Sequence, residues 1–313
     1  MLKIYNTNLK TNKLEEVKKI EKGAWINLTN PSDTEIQKIC SQIDIDEDFL
    51  RYPLDYEEQA RIDIEDNAIL FIIDVPIIED IKDDKTYTTM PLGVLMIEDD
   101  YVITVSLKKN KVIDAFEKGR IKSFCTYKKT RFLLQILYLN AACYLENLKR
   151  INKEQEVTVA LLQQSMKNKD LMQLLNLQNS LIYITTSLRS NEIVMEKTLR
   201  GKVLKMYEED EDILEDAIIE NRQAIEMSKT YSDILTSTMD AYASIISNNL
   251  NGVMKFLTSL TILISVPTLI ASIWGMNVKL PFESSPYGFA ILIGISLSVA
   301  LIAFAWLKRK DMI

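Results

Sequence analysis

The chain of 313 residues contains no histidine, only 8 glycines and 7 prolines, and 3 cysteines. Without histidine, the commonest general acid or base and the commonest ligand of zinc, copper and iron are missing. His-dependent serine and cysteine hydrolases are therefore excluded. The glycines have neither dinucleotide-loop nor P-loop spacing, so we predict no organic cofactor and no nucleotide. The cysteines are unpatterned, which is typical of reduced thiols. Since the sequence shows no nucleophile-base pair and no cofactor loop, we expect the protein not to be an enzyme.

The charge balance argues against nucleic acid as a partner. The net charge is −7, and 26% of the residues are charged. Binding to nucleic acid phosphates needs a positive surface, which this composition does not favour.

Helix-breaking residues are distributed unevenly along the chain. No proline occurs between Pro91 and Pro267, and Gly201 is the one glycine between Gly119 and Gly252, which predicts long helices from about residue 130 onward. Before that point, short apolar runs alternate with charged stretches, which predicts strands with helices at 33–43 and 111–118 between them. The predicted strands contain the runs LKIYN, AWINL, AILFIIDVP, GVLMIE and YVITVS.

Two uncharged runs near the C-terminus, 256–274 and 287–307, are each long enough to cross a bilayer as a helix. Positive residues flank them on one side, because Lys255 precedes the first run and a basic collar follows the second. The positive-inside rule then places both termini in the cytoplasm and the short loop outside. We expect a multi-pass protein of the cytoplasmic membrane, in contact with lipid. The basic collar consists of Lys308, Arg309 and Lys310.

Polar residues form a stripe along the first span. They recur in steps of three and four residues, so they share one helix face, and the same register continues upstream of the membrane. Small hydroxyl residues of this kind either pack membrane helices together or line a water-filled pathway, and the upstream carboxylate and amide favour the pathway. The stripe consists of Asp240, Ser247, Asn251, Met254, Thr258, Thr261, Ser265, Thr268 and Ser272. Pro267 beside it removes a backbone donor and predicts a bend.

The first span ends in Trp274-Gly275-Met276-Asn277, shortly before the second span. An aromatic residue followed by Gly-Met-Asn at this place resembles the signature of the CorA family of magnesium transporters. The resemblance continues through Asn248, Asn251, Met254, Lys255, Leu257, Thr258, Pro267 and Thr268, and more loosely through Trp25-Ile26-Asn27-Leu28 and 54–61. The sequence departs from the family in having Trp274 in place of the usual Tyr and a less acidic outer loop.

The resemblance implies a homopentameric funnel with an ion pore on its axis. Gly275, Met276 and Asn277 would form the outer mouth, where five neutral amides bind hydrated magnesium weakly enough to release it. Met254 and Leu257 would form an apolar constriction that can act as a gate. The positions that match the family's pore are Asp240, Asn251, Met254, Leu257, Ser265, Thr268 and Asn277, and the stripe adds Thr261.

An acidic cluster extends from Glu208 to Glu220. One interpretation is a solvated loop whose acids favour a helix N-terminus. The other is cation sensing, since Asp216 matches the family's regulatory carboxylate, which pairs with an acid of the neighbouring subunit. Glu79 and Asp80 are the candidates for that acid. Magnesium bridging such pairs would hold the pore closed, and its loss would let the subunits separate.

We therefore expect an α+β membrane protein with a long helical stalk. Its predicted parts are a cytosolic α/β domain (1–130), a helical hairpin of that domain (131–212) with its turn at 166–170, a stalk helix continuing into the first transmembrane helix (213–274), an extracytoplasmic loop (275–286), and the second transmembrane helix with the basic C-terminus (287–313).

The predicted function is channel-like uptake of magnesium, with some passage of cobalt or nickel, driven by the membrane potential and regulated by cytosolic magnesium. Magnesium is thus expected as both cargo and regulator. Two alternatives remain open: a zinc transporter of the same superfamily, which the lack of histidine disfavours, and a membrane-anchored coiled-coil scaffold or sensor that conducts nothing.

Overall fold

The computed structural model describes residues 1–11, 13–65, 67–81, 84–97, 101–165, 167–201, 203–277 and 286–310. These residues form two compact units, Met1–Thr236 and Ser237–Ile313. The strands are β1 (Leu2–Asn8), β2 (Lys13–Glu16), β3 (Trp25–Thr29), β4 (Arg61–Glu65), β5 (Ala68–Ile81), β6 (Asp84–Ile97) and β7 (Val102–Ser106). The helices are α1 (Asp33–Ile43), α2 (Asp48–Arg51), α3 (Lys111–Glu117), α4 (Lys129–Ser165), α5 (Asn168–Arg200), α6 (Glu208–Trp274) and α7 (Gly288–Arg309), with a 3-10 turn at Tyr52–Leu54.

The strands of the first unit form one mixed sheet in the order β2-β1-β3-β7-β6-β5-β4. β3 and β7 are parallel, and the other neighbours are antiparallel. β5 and β6 form the longest pair, a hairpin whose register extends from Ala68 opposite Ile97 to Ile81 opposite Asp84. The predicted α/β character is confirmed.

Both faces of the sheet are covered by helices, which explains why β5 reads as a continuous apolar run. Phe71, Ile73 and Val75 point into a core shared with α3 to α6. Leu70 and Ile72, at the alternate positions, point into a second core shared with α1 and α2. The predicted helices at 33–43 and 111–118 are α1 and α3.

Three short elements were not predicted from the sequence. β2 has the sequence KLEE and lies at the sheet edge, so it has no alternating buried face to reveal it. β4, at the other edge, has five residues, and α2 is a single turn.

The helical hairpin of α4 and α5 holds β5 through polar side chains. β4 pairs with β5 only as far as Ile72, so the edge of β5 beyond that residue is uncovered by a strand. There the C=O of Asp74 accepts hydrogen bonds from Asn140 (2.8 Å), Tyr144 (3.1 Å) and Asn191 (2.8 Å), and its N–H donates to Asn191 Oδ1 at 2.8 Å. Side chains of the hairpin therefore satisfy backbone groups that a strand would otherwise satisfy.

α6 begins at Glu208, five residues before the predicted Ile213, and ends at the predicted Trp274. Four acids occupy its first turn, where negative charge stabilises the helix dipole, and this explains the earlier start. Its 67 residues span about 100 Å at 1.5 Å per residue. The helix continues through Pro267.

Candidate ion pathway and regulatory carboxylates

Two helices, α6 and α7, contain stretches long and apolar enough to cross a membrane, which agrees with the two predicted spans. Only 6% of the residues in each of these stretches are buried within the chain. These stretches are therefore not buried in a core of the single chain, and their surfaces are available to lipid or to other copies of the chain.

The polar stripe lies on the membrane part of α6 and the segment before it. It contains every predicted pore-lining residue except Leu257, together with Ser247, Thr258 and Ser272, and every member is exposed. The stripe follows one face of α6, because its members recur in steps of three and four residues. The predicted site residues on it are Asp240, Asn251, Met254, Thr261, Ser265 and Thr268. Leu257, the second apolar constriction residue, is 54% exposed and Met254 is 53% exposed.

Two hydroxyls of the stripe donate to their own helix. Thr261 Oγ1 donates to the C=O of Leu257, and Thr268 Oγ1 donates to the C=O of Ile264, both at 2.8 Å. Each hydroxyl has one proton, so only its lone pairs remain for other partners. The stripe thus presents hydrogen-bond acceptors at these positions, which suit the protons of water around a cation.

The two hydroxyl bonds fit both packing and a pathway. In the packed first unit, the buried Thr198 donates to the C=O of Val194 in the same way, and Thr185 donates to the C=O of Leu181 while its hydroxyl contacts Ser228 Oγ at 2.7 Å. A hydroxyl that donates to its own helix can therefore lie on a packing face or against water.

The helix end places the Gly-Met-Asn residues just beyond the last turn. Gly275 N–H donates to the C=O of Ala271 at 3.0 Å, and Met276 N–H donates to the C=O of Ile273 at 3.3 Å. The second bond closes a tighter turn and ends the helix. Met276 and Asn277 are exposed.

Gly275 makes this turn without the left-handed backbone conformation that often ends helices at glycine. A Cβ built at Gly275 would lie 3.6 Å from the nearest oxygens, which is ordinary contact. Within a single chain, the turn does not require glycine. The rest of the predicted outer loop, 278–285, lies outside the described residues.

Asp216 is exposed on α6 and borders a cavity of about 340 Å³. Two cationic residues, Arg120 and Lys122, line the same cavity, together with Tyr138 and Ile213. The candidate regulatory carboxylate therefore lies on an accessible surface of mixed character.

Glu79 already has partners within its own chain. Lys108 Nζ donates to Glu79 Oε1, and Tyr56 OH donates to the same oxygen at 3.5 Å. The hydrogen bond to Glu79 raises the pKa of Lys108. A metal ion at Glu79 would have to displace this ammonium. The backbone of Asp80 lies in β5, but its side chain lies outside the described part of the chain.

Part of the acidic cluster is structural. Arg131 of α4 binds Asp210 (Nε to Oδ1, 2.9 Å) and Glu209 (Nη2 to Oε2, 2.8 Å). These hydrogen bonds raise the pKa of the Arg131 guanidinium. Asp210 is 3% exposed. The sequence did not identify Arg131, because its partners lie 79 and 78 residues away.

Among the described residues, no group of three or more acids or cysteines is placed to hold a metal ion within one chain. The predicted regulatory pairing requires carboxylates from two copies. The basic collar is exposed: Lys308 and Arg309 occupy the last turn of α7, and Lys310 follows as its C-terminal cap.

Comparison with known proteins gives a consistent result. The family model for the CorA-like Mg²⁺ transporter protein matches residues 21–309. The cobalt/magnesium transport protein CorA of Methanocaldococcus jannaschii is 29% identical over 297 residues, which cover 92% of this chain and 90% of that protein.

The fold gives the same indication. The complete structure of the CorA magnesium transporter from Methanocaldococcus jannaschii has a TM-score of 0.86 at 25% identity and covers 100% of this chain and 99% of that chain. The cytoplasmic domain of ZntB from Vibrio parahaemolyticus has a TM-score of 0.62 over 79% of this chain and 98% of that chain. At 11% identity, this second likeness shows the fold alone.

Proposed function

The chain belongs to the family of CorA-like Mg²⁺ transporter proteins, and from this premise we propose that it carries divalent cations, magnesium foremost, across the cytoplasmic membrane. Cobalt is a second expected cargo, because the name of the Methanocaldococcus jannaschii relative includes it. The observation that carries the proposal is the stripe on α6, whose hydroxyls at Thr261 and Thr268 present acceptors outward. Magnesium keeps its waters tightly, and those waters donate to acceptors.

Conduction requires several copies, because one stripe cannot enclose a pathway. We assign a homopentamer by family membership. Five α6 helices line the axis, and five Asn277 amides ring the outer mouth beyond Trp274. Met254 and Leu257, each about half exposed in the single chain, form the apolar constriction that closes the pathway by excluding water.

The membrane potential supplies the driving force. Moving two positive charges inward across about 100 mV releases roughly 4.6 kcal/mol. Both termini lie in the cytoplasm, where Lys308 to Lys310 anchor the end of α7.

Cytosolic magnesium regulates the pore through Asp216. In this proposal the ion bridges Asp216 to a carboxylate of the neighbouring copy, with Glu79 and Asp80 as the candidates. Asp216 is exposed in the single chain, which supports its availability to an ion shared with a neighbouring copy. The ion pair of Glu79 with Lys108 makes the metal compete with an ammonium, so low magnesium favours the unbridged, open state.

Zinc is the weaker alternative cargo. The likeness to the ZntB domain is one of fold, and the chain has no histidine for a soft-metal site. A non-conducting scaffold would use the stripe for packing, and the flux measurement below separates it from a transporter.

The test is magnesium flux into liposomes that contain a magnesium-sensitive dye and an imposed inside-negative potential. Asn277→Ala is expected to lower the flux at least roughly tenfold, as the loss of one hydrogen-bonding ring costs about 1.4 kcal/mol or more. Asn168→Ala removes an exposed amide of α5 and serves as the matched control. Wild-type flux from Asn277→Ala would remove the pore-mouth assignment, and wild-type protein that passes no divalent ion would favour the scaffold.

A further inference from the structure

A cleft of about 590 Å³ lies between the end of the β5–β6 hairpin and the helix α4. Its volume is within the range of small-molecule sites in proteins. The lining residues belong to the first unit, so the cleft is complete within one chain. It has no part in the proposed ion pathway.

The two walls of the cleft follow from regular geometry. Ile78 and Tyr87 are cross-strand partners, and Lys85 lies two residues from Tyr87 on the same face of the sheet. On α4, the lining residues recur in steps of three and four, so one helix face forms the opposite wall. These α4 residues are Arg150, Lys153, Glu154, Val157, Thr158 and Leu161.

The described lining carries a positive excess in a chain whose net charge is −7. Lys85, Arg150 and Lys153 are cations, and Glu154 is the one acid among the lining residues. The carboxylate of Glu154 accepts a hydrogen bond from Tyr87 OH at 2.7 Å. Burial and this contact raise the pKa of Tyr87, so its hydroxyl stays a donor.

Arg150 retains donors for a ligand. One of its nitrogens, Nη2, binds Glu146, which also pairs with Lys111 at 3.3 Å, outside the cleft. A guanidinium has five N–H groups in a planar fork, which matches phosphate and carboxylate oxygens. The pairing with Glu146 therefore orients Arg150 without exhausting it.

The cleft is polar at one end and apolar at the other. Arg150 and Lys153 lie about two to three turns before Leu161 along α4. Val157 and Leu161 are 55% and 46% exposed, so they offer apolar surface that solvent now covers. A ligand that satisfies both ends carries negative charge on one side and an apolar group on the other.

We propose that this cleft binds a small organic polyanion, with two or more negative charges on phosphate or carboxylate groups and an attached apolar portion. The anionic groups lie against Lys85, Arg150 and Lys153, and the apolar portion lies on Val157 and Leu161. The proposal is independent of the proposed transport function.

The test is calorimetric titration of the full-length protein in detergent at constant free magnesium. Three probes separate the two ends of the cleft: adenosine triphosphate has charge and an apolar ring system, pyrophosphate has charge alone, and adenosine has the ring system alone. We expect the triphosphate to bind most tightly, pyrophosphate more weakly and adenosine not measurably.

Variants locate the binding. Lys153→Glu is expected to weaken triphosphate binding roughly tenfold or more, since it replaces a charge-assisted donor with a carboxylate that repels the anion. Lys38→Glu makes the same charge change on the exposed surface of α1, which covers the other face of the sheet, and should leave affinity nearly unchanged. Leu161→Ser should weaken the triphosphate and spare pyrophosphate. Equal losses from Lys153→Glu and Lys38→Glu, or no binding of any anionic probe to wild type, would overturn the proposal.

Discussion

The two units of the chain differ in how far apart in the sequence the partners of their polar groups lie. In Met1–Thr236, hydroxyls such as those of Thr158 and Thr198 bind their own helix, and other side chains bind distant parts of the sequence, as when Asn140 and Asn191 bind the backbone of Asp74. In Ser237–Ile313, the hydroxyls of Thr261 and Thr268 bind the preceding turn of their own helix. The first unit is organised by contacts within the chain, whereas the second presents apolar groups and acceptors to its surroundings.

This difference indicates what each unit needs. The first has two buried cores on the faces of one sheet and can be stable as a single chain. The second has large apolar side chains exposed along both of its long helices and requires lipid and other copies to cover them. Predictions for the two units should therefore differ in kind.

The largest expected effect is on the stability of the first unit. Leu70→Ala, in β5 at 0% exposure, should lower the free energy of unfolding by about 2–5 kcal/mol, because it leaves a cavity in the core. Leu301→Ala, in α7 at 66% exposure, makes the same truncation on a surface that lipid can refill and should change it far less. Urea unfolding of the solubilised protein, followed by hydrogen exchange, measures both. Equal losses of unfolding free energy in Leu70→Ala and Leu301→Ala would contradict this difference between the two units.

A second prediction concerns Asp74, whose pKa burial raises from 3.8 to about 6. Protonation of Asp74 favours the folded state, so the wild type loses stability as the pH rises from about 4 to about 6, and the loss stays constant above that. The pKa difference corresponds to about 3 kcal/mol. Asp74→Asn should therefore be more stable than wild type by up to that amount at pH 7.5 and equal to it below pH 4.

Thermal unfolding from pH 3.5 to 8 measures this difference. Asp46→Asn, a surface substitution, is the control. A stability difference between Asp74→Asn and wild type that does not vary with pH would show that the carboxyl is not desolvated in the folded state.

The third and smallest stability effect tests the start of α6. Arg131→Gln leaves the buried carboxylate of Asp210 without its charged partner and should cost roughly 2 kcal/mol. The exposed Arg222, which pairs with Glu192 and Glu196, is the matched control, and Arg222→Gln should have less effect. Hydrogen exchange at residues 208–216 reports the fraying directly, and unchanged exchange in Arg131→Gln would contradict this role.

Features that depend on local sequence were predictable. The two spans follow from uncharged runs of sufficient length, and the end of α6 at Trp274 follows from the span before Gly275. Helical periodicity alone predicts that the polar residues of the stripe share one face of α6. The start of α6 was predicted five residues late, because the acids of its first turn were compatible with either a loop or a helix N-terminus.

Features that depend on distant partners were not predictable. The run AILFIIDVP indicates a buried strand, but nothing in it shows that Asn140 and Asn191 contact Asp74 from 66 and 117 residues away. The same applies to Arg131 and its two acids. The role of Asn277 depends on other copies of the chain, so one chain's sequence and structure give its position and exposure, and its function remains a proposal.

The central claim is that the stripe on α6 faces water between copies of the chain. Single cysteines at 254–272, introduced after replacement of the three native cysteines, can be labelled with a water-soluble thiol reagent in the assembled protein in membranes. The claim predicts labelling at Met254, Leu257, Thr258, Thr261, Ser265 and Thr268, slowed by magnesium, with protection of the remaining positions between them. Protection of the stripe, with or without labelling of the opposite face, would contradict the claim and identify the stripe as a packing surface.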